Sequence, residues 1–344
     1  MAPVASRLWW FVPDDAPLPL SLLDLAHIGG GETAADAFDN SVALARQAEA
    51  DGYRRVWYAE HHNMSTIGSS ATSVLIAHVA AHTERIRLGA GGIMLPNHSP
   101  LVIAEQFGTL AELHPGRIDL GLGRAPGSDQ PTMRALRRDP SAADRFPQDV
   151  QELQGYLAGE SLIPGVNATP GYGTHVPLYV LGSSLFGAAL AAALGLPYAF
   201  ASHFSPEALH RAVARYRREF EPSAQLAEPY VIAGVNVLAA DDDATAADQL
   251  QRARRARVAI LLGRGRRYTD EEADAVLASP QGRFIENMMT YTVAGIAPTV
   301  ATYLREFAAH AEADELMVVH GAPAIADRLR SLELTAHAMG LTPT

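Results

Sequence analysis

Between Val56 and Gln130, three short β-branched or apolar runs, Val56–Ala59, Ile86–Ala90 and Ile118–Leu122, alternate with two long apolar helical runs. Strands joined by helical crossovers run parallel, and a parallel sheet is covered on both faces. Each run also ends in residues that can do chemistry: Glu60-His61-His62, then Gly91-Gly92, then Arg124. In parallel β/α folds the carboxyl ends of the strands carry the site.

The alternation extends in both directions. Leu20–Ile28 reads as a first strand, followed by a Gly29-Gly30-Gly31 loop and a helix capped by Thr33 and running to Ala50. Arg54–Ala59 is the second strand. Ser69–His82 is a helix of small and apolar residues, Ile86–Ala90 the third strand, and Ser99-Pro100 opens the next helix. Pro115-Gly116 stops that helix at Leu113, and Arg117–Gly123 is the fourth strand. A polar stretch Arg124–Pro140, a helix Ser141–Ala158 and a loop Gly159–His175 lead to the fifth strand, Pro177–Leu181. Ser183 or Ser184 caps a small-residue helix ending at Leu194.

Tyr198–Ala201 is the sixth strand, Ser205–Phe220 a helix and Tyr230–Leu238 the seventh strand. In the following helix, Asp241–Leu262, the run Arg252–Arg257 is expected to be a solvated face. Residues 263–296 break the alternation and read as an insertion. Pro298–Ala311 is a helix, Glu315–His320 the eighth strand, and Ala324–Met339 the last helix. Eight strands alternating with helices in 344 residues predict a single (β/α)8 TIM barrel over 1–344, with residues 1–18 as an N-terminal arm. A doubly wound open sheet wants a glycine fingerprint at the first helix and an acid about 20 residues later. Gly29-Gly30-Gly31 lacks that spacing.

What the chain lacks narrows its chemistry. All 27 basic residues are Arg, and there is no Cys. Without Lys there is no Schiff-base nucleophile and no Walker lysine. Without Cys there is no thiolate catalysis and no cysteine-held iron–sulfur cluster. A net charge of −11 argues against a nucleic-acid partner. No apolar run is long enough to span a membrane and the start lacks a signal-peptide layout, so a cytoplasmic protein is expected.

His, Arg, acids, hydroxyls and a bound cofactor remain. His61 follows the second strand directly and is the candidate proton manager, with His62 a packing or supporting residue. His78 and His82 have metal-ligand spacing, but the zincin pattern needs Glu where this chain has Val79, so no metal site is expected. Gly91 and Gly92 would let a flat ring approach the backbone. Arg124 ends the fourth strand as a cation for a phosphate or carboxylate. Gly182-Ser183-Ser184 opens a helix and offers free N–H groups and hydroxyls to the same anion.

Several motifs carry a resemblance. They are Ala59-Glu60-His61-His62-Asn63, Leu95-Pro96-Asn97-His98-Ser99-Pro100, Ala104-Glu105-Gln106, Pro115–Arg124, Asp314–Val318 and Arg328–Leu334. Together they resemble the bacterial luciferase-like flavin monooxygenases over residues 20–340. The resemblance implies a barrel that binds reduced FMN delivered by a separate flavin reductase and uses O2 to oxygenate a small organic substrate. By resemblance His61 is the catalytic histidine, and Glu60 lies near the flavin. Gly91-Gly92, joined by a cis peptide in relatives, backs the isoalloxazine. Arg124, Gly182, Ser183, Ser184 and Gly187 form the phosphate site. Luciferase itself has an acid and a Thr where this chain has Ser183 and Gly187. It also has a reactive thiol that a chain without Cys cannot supply, so light emission is not expected. The same superfamily contains deazaflavin (F420)-dependent hydride-transfer enzymes and non-catalytic flavin-binding proteins, which stay open as alternatives. Relatives pair as homodimers through helices such as Ser69–His82. Residues 263–296 are placed to form a lid.

Overall fold

The computed structural model describes residues 18–125, 129–262 and 268–343. The expected N-terminal arm therefore lies almost wholly outside the described residues. In chain order the first half holds β1 (Leu20–Asp24), α1 (Ala34–Asp51), β2 (Arg55–Tyr58), α2 (Thr72–Ala80), β3 (Arg87–Met94), α3 (Pro100–Leu113), β4 (Ile118–Gly123), α4 (Gln130–Ala135) and α5 (Phe146–Ala158). The second half holds β5 (Leu178–Gly182), α6 (Leu185–Ala193), β6 (Tyr198–Phe200), α7 (Leu209–Glu219), β7 (Val231–Ala239), α8 (Asp243–Leu262), α9 (Asp270–Leu277), α10 (Pro280–Met288), β8 (Thr292–Gly295), α11 (Ala297–His310), β9 (Glu315–His320) and α12 (Ile325–Met339).

All strand pairings are parallel. β1 to β7 pair in sequence, and β9 joins β7 to β1, so eight strands close a (β/α)8 barrel. The sequence reading of the fold holds. The excursion between β7 and β9 is richer than an insertion: it carries α9, α10 and a ninth strand. β8 pairs with Asn236–Ala239, the upper half of β7, outside the ring. The first strand ends earlier than its apolar run suggests. Asp24 accepts from the Ala26 N–H at 2.9 Å, and Ala26 takes φ +50°, which turns the chain off the sheet. α1 begins as expected at Thr33, with a reciprocal capping box to Asp36, and stops at Gly52 in the left-handed conformation.

Side chains alternate across the wall. On β7, Val231, Ala233, Val235, Val237 and Ala239 join the large core shared with the helices. Ile232 faces inward with Leu23, Trp57, Tyr179 and Met317. The amino-terminal end of the barrel is sealed by charge. Arg55, fully buried, donates to Asp119 at 2.7 Å and to Glu315 at 3.2 Å. Trp57 Nε1 and Arg87 also donate to Asp119, while Tyr230 and Ser21 donate to Glu315. Burial alone would raise the Asp119 carboxyl; Arg55 and Arg87 outweigh it and hold it below its ordinary range. Among the described residues no helix is long and apolar enough to cross a membrane.

Candidate active site at the carboxyl end of the barrel

The β2 end is built around a buried carboxylate. Glu60 accepts from the Met94 N–H at 2.9 Å, His62 Nε2 at 2.7 Å and His98 Nε2 at 2.9 Å. Burial would raise its pKa, but the bonds from His98, Met94 and His62 prevail and keep it ionised below the usual range. This clamp ties the β2 end to the segment after β3, and the Glu60 N–H adds a 3.2 Å bond to the Gly92 carbonyl. Glu60, His62 and His98 present ligand atoms within 4.8 Å of one another, a spacing that could hold a metal ion. In this structure mutual hydrogen bonds already satisfy them.

His61 is left out of the clamp. Its Nδ1 lies 3.5 Å from the Ala59 carbonyl, a weak contact, and the ring is partly exposed at the mouth. Burial pushes its pKa below the usual imidazole range, and the Ala59 carbonyl and Glu60 offset only part of this. The ring is therefore neutral at pH 7, with a nitrogen able to accept a proton. His78 and His82 lie against each other, ring centroids 4.6 Å apart. Both are exposed, and His82 Nδ1 is bonded to the His78 carbonyl at 2.7 Å.

The Gly91–Gly92 peptide is cis. The need for glycine here comes from the wall itself. A Cβ on Gly91 would stand 2.8 Å from Trp57 Cβ, and one on Gly92 2.6 Å from the Gly121 carbonyl oxygen. The Trp57 side chain on β2 and the β4 backbone at Gly121 thus require glycine at these positions whether or not a ring lies against them.

Arg124, Gly182, Ser183, Ser184 and Gly187 come together across β4 and β5. Ser184 is the N-cap of α6 but makes no side-chain cap bond, so the first-turn N–H groups have no capping side chain. The exposed Arg124 guanidinium carbon lies 4.2 Å from the Phe186 ring centroid, over the first turn of that helix. A Cβ on Gly182 would meet Gly187 and Tyr198 at 3.8 Å, an ordinary van der Waals contact, so the two glycines lie side by side at the helix start. Among the described residues Arg124 has no carboxylate partner. An uncapped helix start, two hydroxyls and an unpaired guanidinium fit the phosphate tail of a flavin.

The sequence model of the family described as "Luciferase-like monooxygenase" matches residues 18–316. The chain belongs to the luciferase-like monooxygenase family. A "Luciferase-like monooxygenase" of Escherichia coli (strain K12) is 48% identical over 307 residues, covering 88% of this chain and 92% of that one. An "N-acetyl-S-alkylcysteine monooxygenase" of Bacillus subtilis (strain 168) is 40% identical over 213 residues, 59% of this chain and 61% of that one. The crystal structure of apo-MsnO8 superposes with a TM-score of 0.86 at 35% identity, covering 95% of this chain and 100% of the other. More distant structures, each 16% identical, share the fold. They are the oxygenating constituent of 3,6-diketocamphane monooxygenase in complex with FMN, TM-score 0.70, and an F420-dependent secondary alcohol dehydrogenase, TM-score 0.69.

Sequence reasoning missed three mouth residues of this luciferase-like monooxygenase. His203 follows β6, where the strand-end argument that found His61 applies equally. Asn236 is the one amide on an otherwise apolar strand, a signal present in the sequence. Arg257 was expected to be solvated. Its neighbours Arg252 and Arg255 do pair outside the barrel, with Asp248 and Asp327 and with Asp270 and Asp274. Arg257 instead reaches inward and donates to Asn236.

Proposed function

We propose that this protein is an FMN-dependent monooxygenase: reduced FMN, O2 and a small organic substrate give oxidised FMN, water and the substrate carrying one added oxygen. The observation that supports this most directly is the cradle of Arg124, Ser183 and Ser184 at the uncapped start of α6, on the same barrel end as His61. Arg124 and the α6 N–H groups would hold the phosphate beside Gly182 and Gly187. Gly91-Gly92 would back the ring. Bound reduced FMN supplies the two electrons that activate O2. His61, neutral and outside the Glu60 clamp, accepts or returns the proton at a ring nitrogen. Glu60 cannot share that work, because its lone pairs are already committed to His62, His98 and Met94; it keeps the loops beside His61 in place. A separate reductase would supply the reduced flavin.

The test is direct. FMN and riboflavin are titrated against the protein, and O2 consumption is followed with chemically reduced FMN and a panel beginning with N-acetyl-S-alkylcysteines, the compounds in the B. subtilis relative's name. Product mass should rise by one oxygen. Binding of FMN without turnover or substrate-dependent O2 use would favour a flavin-binding protein instead. The F420 reading has support from the fold shared with the F420-dependent dehydrogenase. Tighter binding of F420 than FMN, with hydride transfer and no O2 use, would establish it.

A homodimer is part of the same reading. Val74 on α2 and Val102 on α3 are 67% and 43% exposed on helices that pack side by side, an apolar surface suited to a second copy. Sedimentation of wild type against a Val74→Glu variant measures it.

A further inference from the structure

Arg257 sits on α8, yet its Nη2 donates to Asn236 Oδ1 at 3.2 Å. Asn236 shares the inward parity of Ile232, near the carboxyl end of β7. Its amide nitrogen donates to the His203 carbonyl at 2.7 Å and to Thr292 Oγ1 at 3.3 Å, so its oxygen is fixed toward Arg257. Among the described residues no carboxylate pairs with Arg257, and the bond to Asn236 uses one of its five donors. Burial lowers its pKa with nothing to offset the loss. A half-buried guanidinium with no counter-ion among the described residues is partly desolvated, and an anion arriving as a ligand offsets that cost.

A second arginine repeats the pattern nearby. Arg328, in the first turn of α12, is 4% exposed, and its Nε and Nη2 are buried without hydrogen-bond partners among the described residues. It lines a cavity with Asp24, His27, Val319 and His320. His27 is pushed down by burial, and both Arg328 and Arg257 add to this against the pull of Asp24. The two cations therefore act on one corner of the mouth, at β1, β7 and β9. Around the ring of strands this corner faces β4 and β5, which carry Arg124 and α6. Two cationic places on opposite rims suit two different anions.

We propose that Arg257, oriented by Asn236, anchors the carboxylate of an anionic organic substrate on the β7 side of the mouth, across from the flavin-phosphate cradle. Arg328 adds a second cation to this corner, set against the Asp24 carboxylate that lines the same cavity. Burial, Arg257 and His61 all push the His203 pKa down, so its ring is near enough to both to feel their charge. Its Nδ1 closes on β7: a Cβ on Gly234 would come within 2.2 Å of it. The bound carboxylate would fix the distance from His61 to the carbon or sulfur that is oxygenated. The word substrate rests on the monooxygenase reading; the anion site does not.

The experiment is calorimetric titration of N-acetyl-S-methylcysteine and benzoate, each against its methyl ester, with and without saturating FMN. The wild-type protein should bind the acids about tenfold or more tighter than the esters, the range of a charge-assisted hydrogen bond. Arg257→Gln should erase the preference and Arg257→Lys keep part of it. Asn236→Asp, which supplies an internal counter-ion but gives up the amide bond to the His203 carbonyl, should also erase it, with circular dichroism checking that the variant is folded. Arg124→Gln should weaken FMN and leave the preference intact. The proposal is overturned if the wild type shows no acid preference, if the preference survives Arg257→Gln, or if Arg257→Gln weakens FMN binding in place of acid binding. Failure of FMN to bind, with the acid preference present in the flavin-free protein, would overturn the cofactor reading and leave the anion site standing.

Discussion

The Tyr198 hydroxyl donates to the Ser184 carbonyl oxygen at 3.0 Å. This bond fixes the start of α6 to Tyr198, the first residue of β6, so the uncapped N–H groups keep one direction. Tyr198→Phe should preserve the fold, since the ring is buried against Phe200 and Tyr216. It should weaken FMN binding about fivefold, the loss of one neutral hydrogen bond. Riboflavin, which lacks the phosphate, should bind wild type and variant alike. Fluorescence titration of both ligands checks the pair.

Arg124→Gln removes the guanidinium and its stacking on Phe186. FMN affinity should fall by about tenfold to a hundredfold, with riboflavin again unchanged. An equal loss for both flavins would remove Arg124 from the phosphate site.

His61→Ala should leave FMN affinity within about twofold and cut turnover by about a hundredfold or more, the range of general acid–base catalysis. Because the folded protein holds the His61 pKa below its ordinary value, the ring stays neutral down to mildly acidic pH. The acid limb of kcat/KM should therefore lie below pH 6.5, about the unperturbed imidazole pKa, and be absent from His61→Ala. Unchanged turnover would end the proposed role.

Two histidines, His320 buried and His203 partly buried, set the acid limit of stability. Burial pushes both His203 and His320 down to about 3. His320 is neutral with its proton on Nε2. Tyr53 donates to the Leu332 carbonyl and so receives Nε2–H, while Ser331 takes the Ala239 N–H and donates to Nδ1. A depressed histidine pKa means the unfolded chain binds the extra protons. The stabilisation is complete above the unfolded pKa of about 6.5 and drains away as pH falls toward about 3. Urea unfolding midpoints should drop steadily from pH 7 to pH 4, and His320→Gln should flatten that slope.

Asp119→Asn removes the carboxylate that Arg55 and Arg87 share at the sealed end of the barrel and leaves Arg55 with Glu315. Breaking a buried ion pair from one side should destabilise by about 3–5 kcal/mol. Activity per folded molecule should be retained, because this network lies at the opposite end from His61. Equal loss of activity in fully folded protein would contradict the separation of the two ends.

The barrel was legible because its alternation is local: β-branched runs, caps such as Thr33 and breakers such as Pro115-Gly116 each act within a few residues. Glu60, His61 and Arg124 were legible because each ends an apolar run. The rest depends on contacts between distant positions. The Glu60 clamp needs His98, which follows a different strand. Arg257 looks no different from Arg252 and Arg255 until α8 is laid against β7 and one of the three turns inward. β8 is four residues long, and only its pairing with Asn236–Ala239 marks it as a strand. Asp119 and Glu315 belong to quoted motifs, yet their task at the sealed end appears only when β4 and β9 are brought to Arg55.

β7 is long enough to do two jobs at different heights. Residues 232–237 lace to β9 and complete the ring, whereas 236–239 carry β8 and the excursion leading to it. The cylinder is therefore finished before the rim is dressed. An engineer could exchange the segment 243–295 for its counterpart from a relative and change what the rim recognises, without unpicking a stave of the barrel.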